Sequence, residues 1–476
     1  MTVSAPQDGG QQSLGGEWAL PNGNRAGTRA ATRAGITSRT VTMLEPAWRF
    51  RFRGKAGSFG LLTSTPLVVG RTVYVQDAKS SVFALERSSG RLRWARLYTA
   101  PNDGPNGAAV AGDRVVAATD TTVFALNAAN GRRVWSRRLT DRDEQFVDIA
   151  PVVDRGRVYV STVGFSPGGR GALYALDVRT GRVRWKFETI AQPWPTPQAG
   201  GGGAWNPVSV DAGGRVYAGI SNPGPWGGSK ARPNGGAFRG RTLYTDSLVV
   251  LDGETGRLLW YDQVVRHDVR DYDFHVTPIL APAGGREMVF GAGKGGRVVA
   301  WDRATRRRVW SRAVGTHLND LGPLPRRPTR VCPGLFGGVL TPMALAYGRL
   351  FVPVVELCMT ESAVRSTSPL QRPPGEGRGV LLALEAATGR QLWKRALGSA
   401  PFACATASRD VVFVPTFDGW IYAFSARTGA TLWRDRAPAG INGCPSVSAN
   451  MLFVPAGAPH RSFPTREPQL VAYRLR

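Results

Sequence analysis

Leu173 to Trp185 reads LYALDVRTGRVRW, and six other stretches of the chain repeat its form. They are VFALERSSGRLRW ending at Trp94, VFALNAANGRRVW at Trp135, LVVLDGETGRLLW at Trp260, VVAWDRATRRRVW at Trp310, LLALEAATGRQLW at Trp393 and IYAFSARTGATLW at Trp433. Each is an apolar strand, a polar turn and a second strand closed by tryptophan, with glycine at the turn's left-handed position in every copy except VVAWDRATRRRVW. Recurrence every ~40 to 50 residues marks a four-stranded propeller blade with one large aromatic packed between neighbouring sheets.

Working outward, an alternating strand such as Arg71 to Gln76 precedes each unit, which makes each blade a meander. An eighth tryptophan, Trp48 in EPAWRFRF, lacks upstream strands of its own. The missing strands stand at the far end, Asn450 to Ala456 and Gln469 to Arg474, where the chain finishes without a tryptophan. The expectation is therefore an all-β, eight-bladed propeller of four-stranded antiparallel blades, its last blade closed by both termini. Residues 1–16 read as a disordered polar lead-in and 17–476 as one domain.

The formal net charge is +27, carried by arginine far more than by the six lysines. It is scattered over the turns of every repeat rather than gathered in one stripe, which argues against nucleic acid and leaves an acidic protein partner open. No run of 18 apolar residues is present, so no transmembrane segment is expected. No basic-then-apolar leader is visible, which leaves the localisation unknown. Cys332 and Cys358 flank the first two strands of one blade, close enough for a disulfide that depends on the compartment. Cys404 and Cys444 hold matching positions in adjacent blades, and their Cα separation is expected to be too long for a bond. No C-x-x-C-H occurs, so no attached c-type haem is indicated.

Chemistry concentrates in His267-Asp-Val-Arg-Asp-Tyr-Asp-Phe-His275, which packs three carboxylates and two of the chain's four histidines into nine residues. Such a cluster at a channel mouth offers a base, metal oxygens, or only turn-capping side chains.

Together with the repeats, that stretch, GGGGAW (Gly200 to Trp205), SNPGPW (Ser221 to Trp226) and VCPGLFGG (Val331 to Gly338) resemble the quinoprotein, PQQ-dependent alcohol and sugar dehydrogenases. The resemblance implies PQQ in the channel on a tryptophan floor, with a Ca or lanthanide ion bridging quinone and protein. It assigns Trp205 as the floor, Asn222 as a metal ligand, and Asp271 as both ligand and catalytic base. Lys294 in GAGKGG matches the cation on the quinone oxygen, Asp273 the extra carboxylate of lanthanide-using relatives, and Arg170 a further cofactor contact.

Several positions depart from that pattern. Ser166 stands where a glutamate ligand is expected, and Pro101 to Gly107 lacks the vicinal cysteines, with Asn106 in place of arginine. Gly337 to Thr341 loses a cofactor contact, Phe402 replaces a tryptophan, and Arg270 replaces the tryptophan before the base. Three readings follow. The first is a dehydrogenase oxidising an alcohol, hydroxylated metabolite or sugar, with an external electron acceptor. The second is a PQQ-independent enzyme in which Asp271, His275, Lys294 and Cys404 line the channel for acid–base chemistry, under a lid formed by the insertions at 193–203, 223–241 and 316–330. The third is a non-catalytic scaffold like the eight-bladed outer-membrane assembly propellers.

Overall fold

The computed structural model describes the chain except residues 1–15, 55–58, 103, 141–143, 165–167, 191–199, 228–231, 233, 237–239, 364–369, 372–375 and 464–466. Most of the expected lead-in, Ser166 and part of each of the first two insertions therefore lie outside the described residues.

Eight four-stranded antiparallel blades form a closed ring. Blade 3 shows the plan: Val152–Asp154 next to the axis, then Arg157–Gly164, Ala172–Asp177 and, outermost, Val183–Glu188. The middle strands are buried on both faces because a neighbouring blade covers each side, and they read as nearly continuous apolar runs. Outer strands are covered less: Arg133–Arg138 buries only Trp135, and its arginines face solvent.

The tryptophan of one blade seats the turn of the next. Indole Nε1 of Trp94, Trp135 and Trp185 donates to the carbonyls of Ala128, Val178 and Gly253, at 3.0, 2.9 and 3.0 Å. The turn glycine then lies flat against that ring: a Cβ on Gly181 would come within 2.4 Å of Trp135. Gly181 also has φ 70°, so its position requires glycine twice over. The fifth blade breaks the rule, because Arg306 takes the left-handed turn position at φ 61°.

The termini close the ring as expected. Leu44–Arg51 pairs with Gln469–Leu475, which continues through Met451–Ala456 to Ser446–Ser448. Trp48 then donates to the carbonyl of Arg87 in the first blade at 2.9 Å.

One feature has no counterpart in the repeats. From Trp18 to Gly35 the chain runs as a belt past the inner strands, bonding in turn to Val68, Val110, Val210, Leu280, Leu345, Ala407 and Ala449. Arg29, wholly buried, pins the belt. Its guanidinium donates to the carbonyls of Pro21, Ala405 and Pro445 and to Asn22 Oδ1 and Thr406 Oγ1, which ties belt to the seventh and eighth blades.

Both cysteine pairs are disulfides. Cys332–Cys358 has a Cα separation of 4.4 Å. Cys404–Cys444 corrects the sequence expectation: the two Cα atoms are 4.9 Å apart, because these residues enter inner strands where adjacent blades converge on the axis. No described helix is long and apolar enough to cross a membrane.

Candidate active site

A cavity of about 580 Å³ lies on the axis, and every blade contributes to its wall. Pro21 and Asn22 of the belt belong to that wall, Trp205 and Asn222 enter from the fourth blade, and Asp271, Asp273 and Lys294 from the fifth.

The carboxylate segment is held in place by glycine. A Cβ on Gly293 would sit 1.9 Å from the Asp273 carbonyl, so only glycine lets the loop lie against the strand Arg286–Gly293. Lys294 follows at once, and its backbone N–H bonds to that same carbonyl at 3.0 Å. Its ammonium then lies 2.6 Å from Asp271 Oδ2, 2.5 Å from Asp273 Oδ2 and 4.9 Å from the centre of the Trp205 ring. Asp271 holds φ 63°, a strained conformation for a non-glycine residue, which turns its carboxylate onto Lys294. Asp273 Oδ1 accepts the backbone N–H of Asn222 at 2.7 Å, while the Asn222 amide N–H₂ turns to the Pro223 carbonyl. The Asn222 side-chain oxygen is left to accept.

Burial pushes Asp271 well above the ordinary carboxylate range, against the pull of Lys294. Burial alone would lower Lys294, but the two carboxylates outweigh it and raise the ammonium above an ordinary lysine.

The structure brings together Trp205, Asn222, Asp271, Asp273 and Lys294, and places two other candidates elsewhere. His275 is fully buried behind the floor, its ring stacked on Trp205 with centroids 4.4 Å apart and planes at 18°. Its nitrogens lie by the carbonyls of Asp273 and Leu340, burial lowers its pKa, and its ring props the indole from behind. Arg170 is not among the described wall residues; its backbone bridges Gly201. Of the departures, Asn106, Leu340, Thr341 and Phe402 all line the cavity. Cys404, tied to Cys444, is wholly buried, and Cys444 is the member that reaches the wall.

Three residues escaped the sequence reading. Asp246 is fully buried with φ 53°, and neither carboxylate oxygen has a hydrogen-bond partner among the described residues. Burial, then the nearby carboxylates of Asp268, Asp273 and Asp271, drives its pKa well up. An acid opening the apolar run SLVVL was the available signal. Glu361 is the buried partner of Arg270, 3.2 Å away, and burial pushes its pKa up to about 7. The same guanidinium donates to the carbonyls of Gly322 and Pro323, so Arg270 clamps the insertion at 316–330 beside Asp271. Asp148 adds a carboxylate to the cavity wall from the third blade.

The donor set fits the implied groups on one side. An indole face with a fixed ammonium beside it suits a flat quinone, and Asn222, Asp271 and Asp273 offer only oxygens, as a hard cation requires. Among the described residues no cluster of three or more His, Cys, Asp and Glu is placed to hold a metal, and the donors at this site are two carboxylates and one amide oxygen.

A closed eight-bladed ring thus surrounds an axial cavity lined by Trp205, Lys294 and the paired Asp271 and Asp273. The comparisons with known proteins agree. The family model of the glucose/ethanol/alcohol dehydrogenase β-propeller domain matches residues 150–311, and that of the outer membrane assembly factor BamB matches 20–108, 43–164 and 377–463. The chain is similar to quinohemoprotein alcohol dehydrogenase ADH IIB of Pseudomonas putida, 27% identical over 56% of this chain and 42% of the relative. It is similar over 86% of its length, and 78% of the other's, to the lanthanide-dependent methanol dehydrogenase of Methylacidiphilum fumariolicum, at 25% identity. The solved quinohemoprotein alcohol dehydrogenase of Comamonas testosteroni superposes with a TM-score of 0.83, at 21% identity over 96% of this chain and 80% of that one. The chain is an eight-bladed propeller that is similar to PQQ-dependent alcohol dehydrogenases. It spans about half or less of the length of several curated alcohol dehydrogenases that it matches.

Proposed function

We propose that the protein oxidises an alcohol, a hydroxylated metabolite or a sugar in this cavity, using PQQ with a Ca or lanthanide ion. The observation that carries the reading is Lys294, whose ammonium lies within 2.6 Å of two aspartates and over the floor tryptophan. Trp205 and Lys294 would hold PQQ, and Asn222, Asp271 and Asp273 the ion. When bound, PQQ supplies the two-electron acceptor that no side chain can provide.

The chain's own residues do the rest. Asp271 accepts the substrate hydroxyl proton, and its raised pKa suits a base working near neutral pH better than an ordinary aspartate. Lys294 keeps that carboxylate oriented and presents fixed positive charge where negative charge develops. Asp273 accepts the Asn222 backbone N–H and so ties the fourth-blade segment to the fifth. The Lys294, Asp271 and Asp273 side chains, each at most 10% exposed, are largely withdrawn from solvent.

Asp271→Asn keeps the shape and removes the base. Alcohol-dependent dye reduction by the reconstituted protein should fall at least 100-fold while PQQ binding persists; near-normal turnover would remove Asp271 from this role. The acid–base reading gains no support from His275, which stands behind the floor and faces two carbonyls.

A further inference from the structure

A radial row of rings crosses the cavity side of the propeller between the seventh and eighth blades. It starts at Phe402 on the cavity wall. Phe417 follows with ring centroids 5.4 Å apart, then His460 at 6.4 Å and Phe463 at 6.3 Å. There the guanidinium of Arg436 lies 5.1 Å from the Phe463 ring and 5.6 Å from Trp420, and Arg434 covers the same tryptophan at 5.1 Å.

Packing explains only the inner half of this row. Phe402 and Phe417 belong to a small apolar cluster with Leu340, Val355 and Leu357. His460, Phe463 and Trp420 are only part-buried, and Arg434 and Arg436 are exposed. An outer strand that needed only solubility would not require two cations stacked on one part-exposed indole.

We propose that this row is an exit for electrons and that Trp420, Arg434 and Arg436 form the docking patch of an acidic one-electron carrier protein. The inference rests on the dehydrogenase reading. Converting an alcohol to its carbonyl product releases two protons and two electrons, and a one-electron carrier takes those electrons from the cavity one at a time. Tunnelling decays exponentially with distance and decays more slowly through packed atoms than across gaps. A row of touching rings from wall to surface therefore offers a shorter electronic path than an unfilled route. At its outer end, tryptophan and arginine are the residue types that dominate the energetics of protein interfaces. The patch is cationic on a chain of net charge +27, which steers an acidic partner and repels a basic one.

The test uses hexacyanoferrate(III), a trianionic one-electron oxidant, with the reconstituted holoprotein: each turnover reduces two of these ions to hexacyanoferrate(II) and frees two protons. The double variant Arg434→Glu/Arg436→Glu should lower kcat/KM for this acceptor at least tenfold. The control Arg307→Glu, an exposed residue on the fifth-blade turn, should change it less than twofold. PQQ binding and the single-turnover reduction of the cofactor by alcohol should be the same in all three proteins. Equal losses in variant and control, or none in either, would overturn the proposal. If the wild type oxidises no alcohol, the dehydrogenase reading fails by itself, and the patch is judged with redox-inert hexacyanocobaltate(III) by calorimetry. Saturable binding lost in the double variant and kept in the control supports the patch, whereas indistinguishable binding removes it.

Discussion

Replacing Lys294 with methionine removes the one cation that, among the described residues, pairs with both Asp271 and Asp273, and leaves two carboxylates each at most 10% exposed. Removing one partner of a buried ion pair costs about 3–5 kcal/mol, because the remaining charge keeps its desolvation penalty and loses its compensation. The unfolding entropy of a chain of 476 residues is of the order of 1 kcal/mol per degree near the transition. The variant should therefore melt about 3–5 °C below the wild type at pH 8, measured by calorimetry at one scan rate on chelator-treated protein. As the pH falls, one of the two carboxylates takes a proton and the difference should shrink. Adding Asp273→Asn should restore part of the loss, since the second substitution removes a charge that the first left unpaired. A Lys294→Met protein that melts within a degree of the wild type at pH 8, with no response to Asp273→Asn, would refute the buried triad.

Three further outcomes follow from the structure. Arg29→Leu should destabilise the protein by about 3 kcal/mol or more in urea unfolding, because it orphans acceptors on the belt and two blades; an unchanged midpoint would deny the belt its anchor. Glu361 is raised from 4.5 to about 7 in the folded state, so folding favours its protonated form: its contribution is complete below about pH 4.5 and is lost as the pH rises through 7. The loss is about 3 kcal/mol at most, and Glu361→Gln should flatten the Tm between pH 5 and 7; an unaltered slope would place the titrating group elsewhere. The disulfides span 26 and 40 residues, so the loss of each should cost about 3.5–4 kcal/mol, read as the drop in unfolding midpoint of the Cys332→Ala/Cys358→Ala and Cys404→Ala/Cys444→Ala variants; midpoints equal to the wild type would contradict the loop-closure argument.

The fold was legible because its determinants repeat. A turn glycine and a tryptophan recur in phase, each packs on a neighbouring blade, and the surplus strands at the two ends can only complete one another. Trp205, Asn222, Asp271, Asp273 and Lys294 were legible through motif resemblance, and the structure gathers them. What the sequence concealed depends on backbone or on distance along the chain. The belt bonds through peptide groups, so no side-chain pattern announces it, and Arg29 reads as one arginine among many. Arg270 and Glu361 meet only after the intervening blade folds. His275 shares its strand entrance with the site residues, but its ring passes behind Trp205, a matter of side-chain direction that spacing does not reveal. The Cys404–Cys444 bond was misjudged because inner strands converge more closely at the axis than the repeat spacing implies.

On the proposed function, Trp205, Lys294 and the oxygen donors of Asn222, Asp271 and Asp273 hold a quinone and a cation. Titrating the metal-free protein with PQQ, with and without Ca²⁺ or La³⁺, tests it directly through quenching of tryptophan fluorescence. The account predicts saturable, metal-dependent quenching that is weakened at least tenfold in Trp205→Ala. Absence of binding under every metal condition, or binding that Trp205→Ala leaves unchanged, would contradict it.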